Sequence, residues 1–360
     1  MKAAVWGSYN YGNYGDDIMA LQFAQTLNSN GLQPWVYRLN RDVASRFQIH
    51  STDSIDELLE QAEFCLIGGG AMLESGPSEM DLDFEDLTRA SARYHCPVFP
   101  VSVGGDGQGI LSRLSPQKKA FWTSDYCQNP TVRLTSDVAL AQLLDKQATY
   151  YPDVLWTVKD AWGIEPKQNA DGKMHVGINI PNSAAARLMV QQLSTIAAVR
   201  RDIVFHFIRT YLPTSPVNLE LMPKSQSPFI RQHVYTDPKE TLEFLSSLNL
   251  VISHKLHLGL TALALGVPFL SLGGKGKTKT FLREIGADFA IFSSRKKNTE
   301  LVALLSSRKK LNQFGQMFDW SLIQQLQQIS SGHLNHVKAI ATDLGAEATG
   351  RKSKSELLTP

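Results

Sequence analysis

The residues best suited to chemistry fall in one stretch, 250–279. An apolar run at 250–252 has the composition of a buried strand and stops at Ser253-His254-Lys255-Leu256-His257. Apolar residues then return at Leu260, Leu263 and Ala264, the spacing of a helix, which Gly266 and Val267-Pro268 bring to an end. A second short strand at 269–272 opens into Gly273-Gly274-Lys275-Gly276-Lys277, a basic glycine-rich loop ahead of another helix near Thr280. Hydroxyl, ammonium, imidazole and helix N-terminal amides therefore gather at the carboxyl ends of two strands, where open α/β sheets hold anions. The chemistry this permits is anion binding coupled to proton transfer. Ser253, Lys255 and Lys277 are candidate ligands for an anion, and His257 is either an acid or a group that orients the anion.

Other candidates follow glycine turns. Gly7-Ser8-Tyr9-Asn10-Tyr11-Gly12-Asn13-Tyr14-Gly15-Asp16-Asp17 comes after a short strand at 3–6, and a helix then starts with Asp16 or Asp17 as its cap. The spacing is not that of a dinucleotide fingerprint, and an acidic pair at a helix start opposes a phosphate there. Strand 64–67 runs into Gly68-Gly69-Gly70 and strand 98–103 into Gly104-Gly105; such turns either bring backbone amides to a ligand or pack a helix tightly on a sheet. Asp16, Glu74 and Asp106 each lie just past one of these turns and are candidate bases for a hydroxyl, although Asp16 is equally a helix cap, a role worth about 1 kcal/mol. Arg133, in a strand at 131–134, is a further candidate cation. The group Glu79, Asp81, Asp83, Glu85 and Asp86 reads as the solvated start of a helix, so no metal site is expected.

The elements that must position these residues alternate strand and helix through both halves, the pattern of parallel α/β sheets. With 360 residues, two domains are expected, one over 1–165 and one over 174–330, with 165–173 as linker and 346–360 as a disordered basic tail. The fold class is α/β, two Rossmann-like domains facing a cleft. A composition of 43% hydrophobic and 19% charged residues is that of an ordinary globular protein, and a net charge of +2 gives no reason to expect nucleic acid as partner. Cys65, Cys96 and Cys127 show neither pairing nor metal-ligand spacing, which suits a reduced, cytoplasmic protein. The N-terminal apolar stretch is too short for a signal peptide, and no segment reaches the roughly 18 apolar residues of a membrane span. Arg295-Lys296-Lys297 and Arg308-Lys309-Lys310 are solvated helix ends by default, and otherwise a surface for peripheral contact with the inner face of an anionic membrane.

Taken together, the motifs resemble those of polysaccharide pyruvyl transferases. Ser253-His254-Lys255-Leu256-His257 followed by Ala262-Leu263-Ala264-Leu265-Gly266-Val267-Pro268 is similar to that family's Ser-x-Arg-Leu-His, Ala-x-x-x-Gly-Val-Pro pattern. Gly12-Asn13-Tyr14-Gly15-Asp16 resembles its Gly-x-Asn-x-Gly-Asp element, Leu66-Ile67-Gly68-Gly69-Gly70 its glycine triplet, and Val132-Arg133 its Val-Arg. Tyr151-Pro152-Asp153 is similar to its Pro-Asp, and Lys277 to its basic residue ahead of the last motif helix. The set lies in family order over about residues 1–290. Lys255 departs from the pattern, which has arginine there: charge is kept, while the planar two-point fork is lost. Leu134 also departs, since an acidic residue commonly follows the family's Val-Arg, so Arg133 is either freer to serve a ligand or lacks a positioning partner.

The resemblance implies a GT-B-like architecture and the transfer of pyruvyl from phosphoenolpyruvate to two hydroxyls of a sugar, in a polysaccharide or its lipid-linked precursor, as a cyclic ketal with release of phosphate. On that reading the second domain is the phosphoenolpyruvate side and holds the donor through Ser253, Lys255 and Lys277, with Arg133 and the Gly68, Gly69 and Gly70 amides as donor-binding residues from the first. The first holds the acceptor near Asn13, Glu74 and Asp106, and His257 and Asp16 act as acid and base. Phosphoenolpyruvate is then a co-substrate that carries its own activation, so no cofactor is required. Two other functions fit the same layout: a glycosyltransferase whose lysine loop holds a nucleotide-sugar diphosphate, and a non-catalytic glycan-binding protein in which Lys255 marks a decayed site.

Overall fold

The computed structural model describes residues 1–105, 110–167, 169–217, 219–292 and 296–356, the side chains of 296–299 and 345–356 excepted. They cluster into two units, Met1–Asn10 with Asp16–Val154 and Ile329–Pro360, and Tyr11–Gly15 with Leu155–Gln328. In chain order the elements begin β1 (Lys2–Trp6), α1 (Tyr14–Ser29), β2 (Gln33–Tyr37), α2 (Arg41–Arg46), β3 (His50–Thr52), α3 (Ile55–Leu59) and β4 (Ala62–Leu73). They continue with α4 (Asp81–Tyr94), β5 (Val98–Gly105), α5 (Pro116–Trp122), β6 (Thr131–Val132), α6 (Thr135–Gln142) and β7 (Thr149–Tyr150). Next come α7 (Val158–Ala161), β8 (Met174–Asn179), α8 (Ala184–Val199), β9 (Ile203–Arg209), β10 (Ile230–Val234), α9 (Pro238–Ser246) and β11 (Leu250–Ser253). Last are α10 (Leu256–Ala264), β12 (Phe269–Leu272), α11 (Gly276–Glu284), β13 (Ile291–Phe292), α12 (Lys296–Leu305), α13 (Arg308–Gln316) and α14 (Trp320–Glu356).

The first sheet has the order β3-β2-β1-β4-β5-β6-β7 and the second β10-β9-β8-β11-β12-β13. Every pairing is parallel. Strands such as Leu250–Ser253 are buried along their whole length, as parallel strands covered on both faces must be, which is why they read as unbroken apolar runs. In each unit the strand order reverses beside its own first strand, β1 against β4 and β8 against β11, and it is outside the carboxyl ends at such reversals that α/β sheets bind ligands. The expected pair of Rossmann-like domains is present. Among the described residues no helix is long and apolar enough to cross a membrane.

Three expectations about the chain's division are corrected. The chain leaves the first unit at Val154, not near 165, and returns to it at Ile329: Leu155, Trp156 and Val158 are buried in the second, with the rings of Trp156 and Phe281 5.7 Å apart. Residues 165–173 are no free linker, since the Asn169 amide donates to the Ser247 carbonyl at 2.5 Å and the His175 ring to Asp171 at 3.0 Å. Nor are residues 346–356 without regular structure: α14 carries on to Glu356, where seven of the eleven residues are Ala, Glu, Lys or Arg and extension of an existing helix needs no new nucleus.

Candidate functional site

The carboxyl ends of β8 and β11 lie side by side, with Asn179 and Ser253 in register. The Ser253 hydroxyl donates to Asn179 Oδ1 at 3.0 Å and accepts the Lys255 backbone N–H at 2.8 Å, so Ser253 shapes the turn that follows it and is itself fully buried. Asn179 Nδ2 in turn donates to Glu220 Oε1 at 2.8 Å, and the Glu220 carboxylate also accepts from the Thr210 backbone N–H at 2.7 Å and the Thr210 hydroxyl at 2.6 Å. Buried polar groups persist only when satisfied in this way. The network pins the segment after β9 to the turn after β11.

On that turn Lys255 is the N-cap of α10, its own side chain making no capping bond, and His257 stands in the helix's first turn. Both are half-buried. The Lys255 ammonium donates to the Tyr211 hydroxyl at 3.0 Å and lies 4.5 Å from the centre of that ring. His254 shares the Asn179 carbonyl between its backbone N–H and its Nδ1, each at 3.2 Å. A carbonyl only accepts, so Nδ1 carries the proton and Nε2 keeps its lone pair. Burial holds the His254 imidazole below the usual histidine range; the Asn179 carbonyl and Glu220 oppose this, and the charges of Lys255 and Lys275 add to it.

The turn Tyr11–Gly15 clusters with this second unit. Asn13 forms an antiparallel bridge with Tyr211, the Tyr14 backbone N–H donates to the Thr210 carbonyl at 2.8 Å, and the Tyr14 hydroxyl donates to Thr261 on α10 at 2.9 Å. Gly15 is obligatory, because a β-carbon there would sit 2.2 Å from His257 Nδ1. Two motifs more than half the chain apart in sequence thus become one surface. Asn13 and not an aspartate satisfies the helix start, its side chain accepting the Gly15 N–H at 3.0 Å, while Asp16 and Asp17 lie in the first turn of α1; this corrects the cap expected at those residues. In the same unit Lys277 occupies the first turn of α11, half-buried and so not part of a fully solvated run. Beneath the Gly274 turn the buried Ser271 hydroxyl has no hydrogen-bond partner among the described residues.

The other candidates, apart from the two basic runs of the second half, belong to the first unit. Arg133 is buried and paired with Asp153 at 2.8 Å, so the Val-Arg and Pro-Asp motifs meet and Asp153 supplies the partner that Leu134 does not. The Ser330 hydroxyl on α14 donates to the Asp153 carbonyl at 2.8 Å, and His333 bridges the Tyr151 carbonyl at 3.2 Å and Thr131 at 2.8 Å. Gly68, Gly69 and Gly70 lie inside β4, not in a turn after it. There the Tyr9 hydroxyl donates to the Gly68 carbonyl at 2.7 Å, and a β-carbon on Gly68 would come within 2.2 Å of that hydroxyl. A β-carbon on Gly69 would meet the Met19 sulfur at 2.7 Å, so at these positions the absence of a side chain serves the packing of α1 on the sheet. Glu74 is exposed, and its carbonyl accepts the buried Lys118 ammonium at 3.0 Å. Asp106 lies outside the described residues, as do Arg295 and the side chains of Lys296 and Lys297, whereas Arg308, Lys309 and Lys310 are exposed at the start of α13. Cys96 and Cys127 are buried, which pushes their thiols up to about 12. Among the described residues no group of three or more His, Cys, Asp or Glu has metal-binding geometry.

Asn179, Thr210, Tyr211 and Glu220 escape a reading of the sequence because each is a lone polar residue without motif spacing. The available signal was position: Asn179 and Thr210 end or follow the first strands of the second half, the side on which such sheets bind ligands.

Several solved structures share the fold. The UDP-GlcNAc 2-epimerase from Neisseria meningitidis bound to UDP-GlcNAc is similar with a TM-score of 0.60 at 12% identity, covering 95% of this chain and 100% of that one. The S. aureus MnaA–UDP co-structure gives 0.58 at 11% identity, over 93% and 97% of the two chains. Anabaena HepE in complex with UDP gives 0.52 at 8% identity, over 96% and 100%. At such identities the likeness establishes the fold, two parallel-sheet α/β domains of the GT-B-like class. A comparison with functionally curated proteins returns no match. The family model for polysaccharide pyruvyl transferase matches residues 13–276, from the Asn13 turn through the helix of His257 to the glycine-lysine loop, and the chain belongs to that family.

Proposed function

We propose that this protein transfers pyruvyl from phosphoenolpyruvate to two hydroxyls of a sugar in a polysaccharide or its lipid-linked precursor. The observation that carries the reading is the union of the Asn13–Gly15 turn with Lys255 and His257 at the carboxyl ends of β8 and β11. Phosphoenolpyruvate presents a phosphate and a carboxylate on one small alkene. Lys255, Lys277 and the N-terminal end of α10 suit those anions, since charge-assisted bonds and a helix N-terminus both favour negative charge. His257 gives a proton to the methylene carbon, leaving an oxocarbenium-like centre at the carbon bearing the phosphate. One acceptor hydroxyl adds to that centre, the carbon–oxygen bond to phosphate breaks, and the second hydroxyl closes the ketal. Of the two hydroxyl protons, one replaces the proton given to carbon and the other leaves with phosphate. His254, neutral and with its Nε2 lone pair available, is suited to receive the first of them.

A nucleotide-sugar reaction is the second reading, favoured by UDP and UDP-GlcNAc in the similar structures. Calorimetry separates the two without knowledge of the acceptor. Saturable phosphoenolpyruvate binding that weakens about tenfold, or ~1.4 kcal/mol, in both His257→Ala and Lys255→Ala is the expected result. Binding of a UDP-sugar with no phosphoenolpyruvate binding would transfer the protein to the second reading, and binding of neither would favour a glycan-binding role. On a membrane-bound acceptor the exposed Arg308-Lys309-Lys310 start of α13 is the surface for an anionic leaflet, which vesicle flotation at low salt tests.

A further inference from the structure

We propose that Tyr211 is a positioning residue for Lys255, holding its ammonium in the one place where it meets the donor anion. The inference deepens the pyruvyl-transfer reading and rests on it. A lysine is a point charge on a flexible stem, whereas an arginine at the same place orients itself through a planar fork. A chain with lysine there needs direction from elsewhere, and Lys255 is held at both ends. Its backbone N–H is fixed by the Ser253 hydroxyl at 2.8 Å, and its Nζ by the Tyr211 hydroxyl at 3.0 Å. Both restraints lead back to one carboxylate. Glu220, only 4% exposed, clamps Thr210 immediately before Tyr211 and also holds Asn179, which takes the Ser253 hydroxyl. The bridge between Tyr211 and Asn13 fixes the tyrosine backbone from its other side.

The choice of partner matters as much as the distance. A phenol is neutral, so it orients the ammonium without cancelling its charge, and the ring face 4.5 Å away favours a cation further. The ammonium has three donors and Tyr211 uses one, which leaves the others for a phosphate or carboxylate oxygen.

Two measurements test this. The first needs no donor: brief acetylation of the whole protein with acetic anhydride, with modification of Lys255 followed by mass spectrometry. Tyr211→Phe should react about threefold faster or more at Lys255, because the hydroxyl bond that holds the side chain in place is gone. Equal rates overturn the proposal whatever the protein binds. The second is phosphoenolpyruvate calorimetry on Tyr211→Phe, Lys255→Arg and the double variant. Tyr211→Phe should lose about tenfold in affinity with lysine in place and less than about threefold with arginine, whose fork supplies its own orientation. An equal loss in both backgrounds shows that Tyr211 acts through the fold or on the donor directly, and overturns the proposal. If wild-type protein binds no phosphoenolpyruvate, the functional reading fails, and acetylation still decides whether Tyr211 holds Lys255.

Discussion

The two units share a strand order and differ in what they place at its point of reversal. In the first, the end of β1 beside the middle of β4 is closed by packing: Tyr9 is 2% exposed, its hydroxyl is spent on Gly68, and burial raises its pKa well above the ordinary phenol value. In the second, the ends of β8 and β11 carry a hydrogen-bonded polar network that leaves His254, Lys255 and His257 half-exposed. A common topology thus offers the same position twice, and the residues that fill it decide whether it becomes core or site.

Paired glycine substitutions make the hardest test of that contrast. Gly15→Ala sets a methyl group 2.2 Å from His257 Nδ1 and should cost about a hundredfold in phosphoenolpyruvate affinity, ~2.7 kcal/mol by calorimetry. Gly68→Ala sets one 2.2 Å from the Tyr9 hydroxyl, a case of overpacking that should cost about 1–3 kcal/mol of stability. In a melting experiment that is a fall of roughly 3–10 °C. Loss of donor binding on Gly68→Ala but not on Gly15→Ala would reverse the assignment of the two regions.

Acid should weaken both units. Burial holds His333 in the first at about 4, and burial holds His206 and His233 in the second at about 3 and about 4, all below the ordinary 6.5. A folded-state pKa below the unfolded one means the ring is buried neutral, so its stabilisation is complete above pH 6.5 and is lost as pH falls through the folded value. For His333 that is on the order of 3 kcal/mol between pH 6.5 and 4. Urea midpoints measured across that range should fall, and the slope should flatten in His333→Gln. A slope unchanged by that substitution would place the acid sensitivity elsewhere.

The smallest expected effect is at Asn13. Its alanine variant removes the acceptor of the Gly15 N–H, and should lower stability by about 1 kcal/mol, read as a shift of roughly 2–4 °C in Tm.

Much of the fold was legible because parallel strands buried on both faces leave apolar runs, as at Leu250–Ser253 and Ile203–Arg209. The strand Ile230–Val234 was not, since Arg231, Gln232 and His233 give it a polar surface. The helix Arg308–Gln316 was masked by its own basic start, and the extent of α14 by a charged sequence that is nonetheless rich in helix formers. Within the site, Ser253 to His257 could be found because five informative residues are consecutive. Glu220 could not: its meaning lies in Asn179 and Thr210, and nothing in an irregular segment announces which distant groups a carboxylate will satisfy. Asp153 as partner of Arg133 was hidden in the same way, twenty residues along the chain.

The placement of Tyr11–Gly15 in the second unit also bears on how the chain is made. Tyr14 leaves the ribosome 247 residues ahead of Thr261, the residue its hydroxyl must reach. At about 5–20 residues per second the turn waits roughly 10–50 s for that partner, while much of the first unit has been translated around it. The surface carrying His257 is therefore completed by residues translated well before His257 itself.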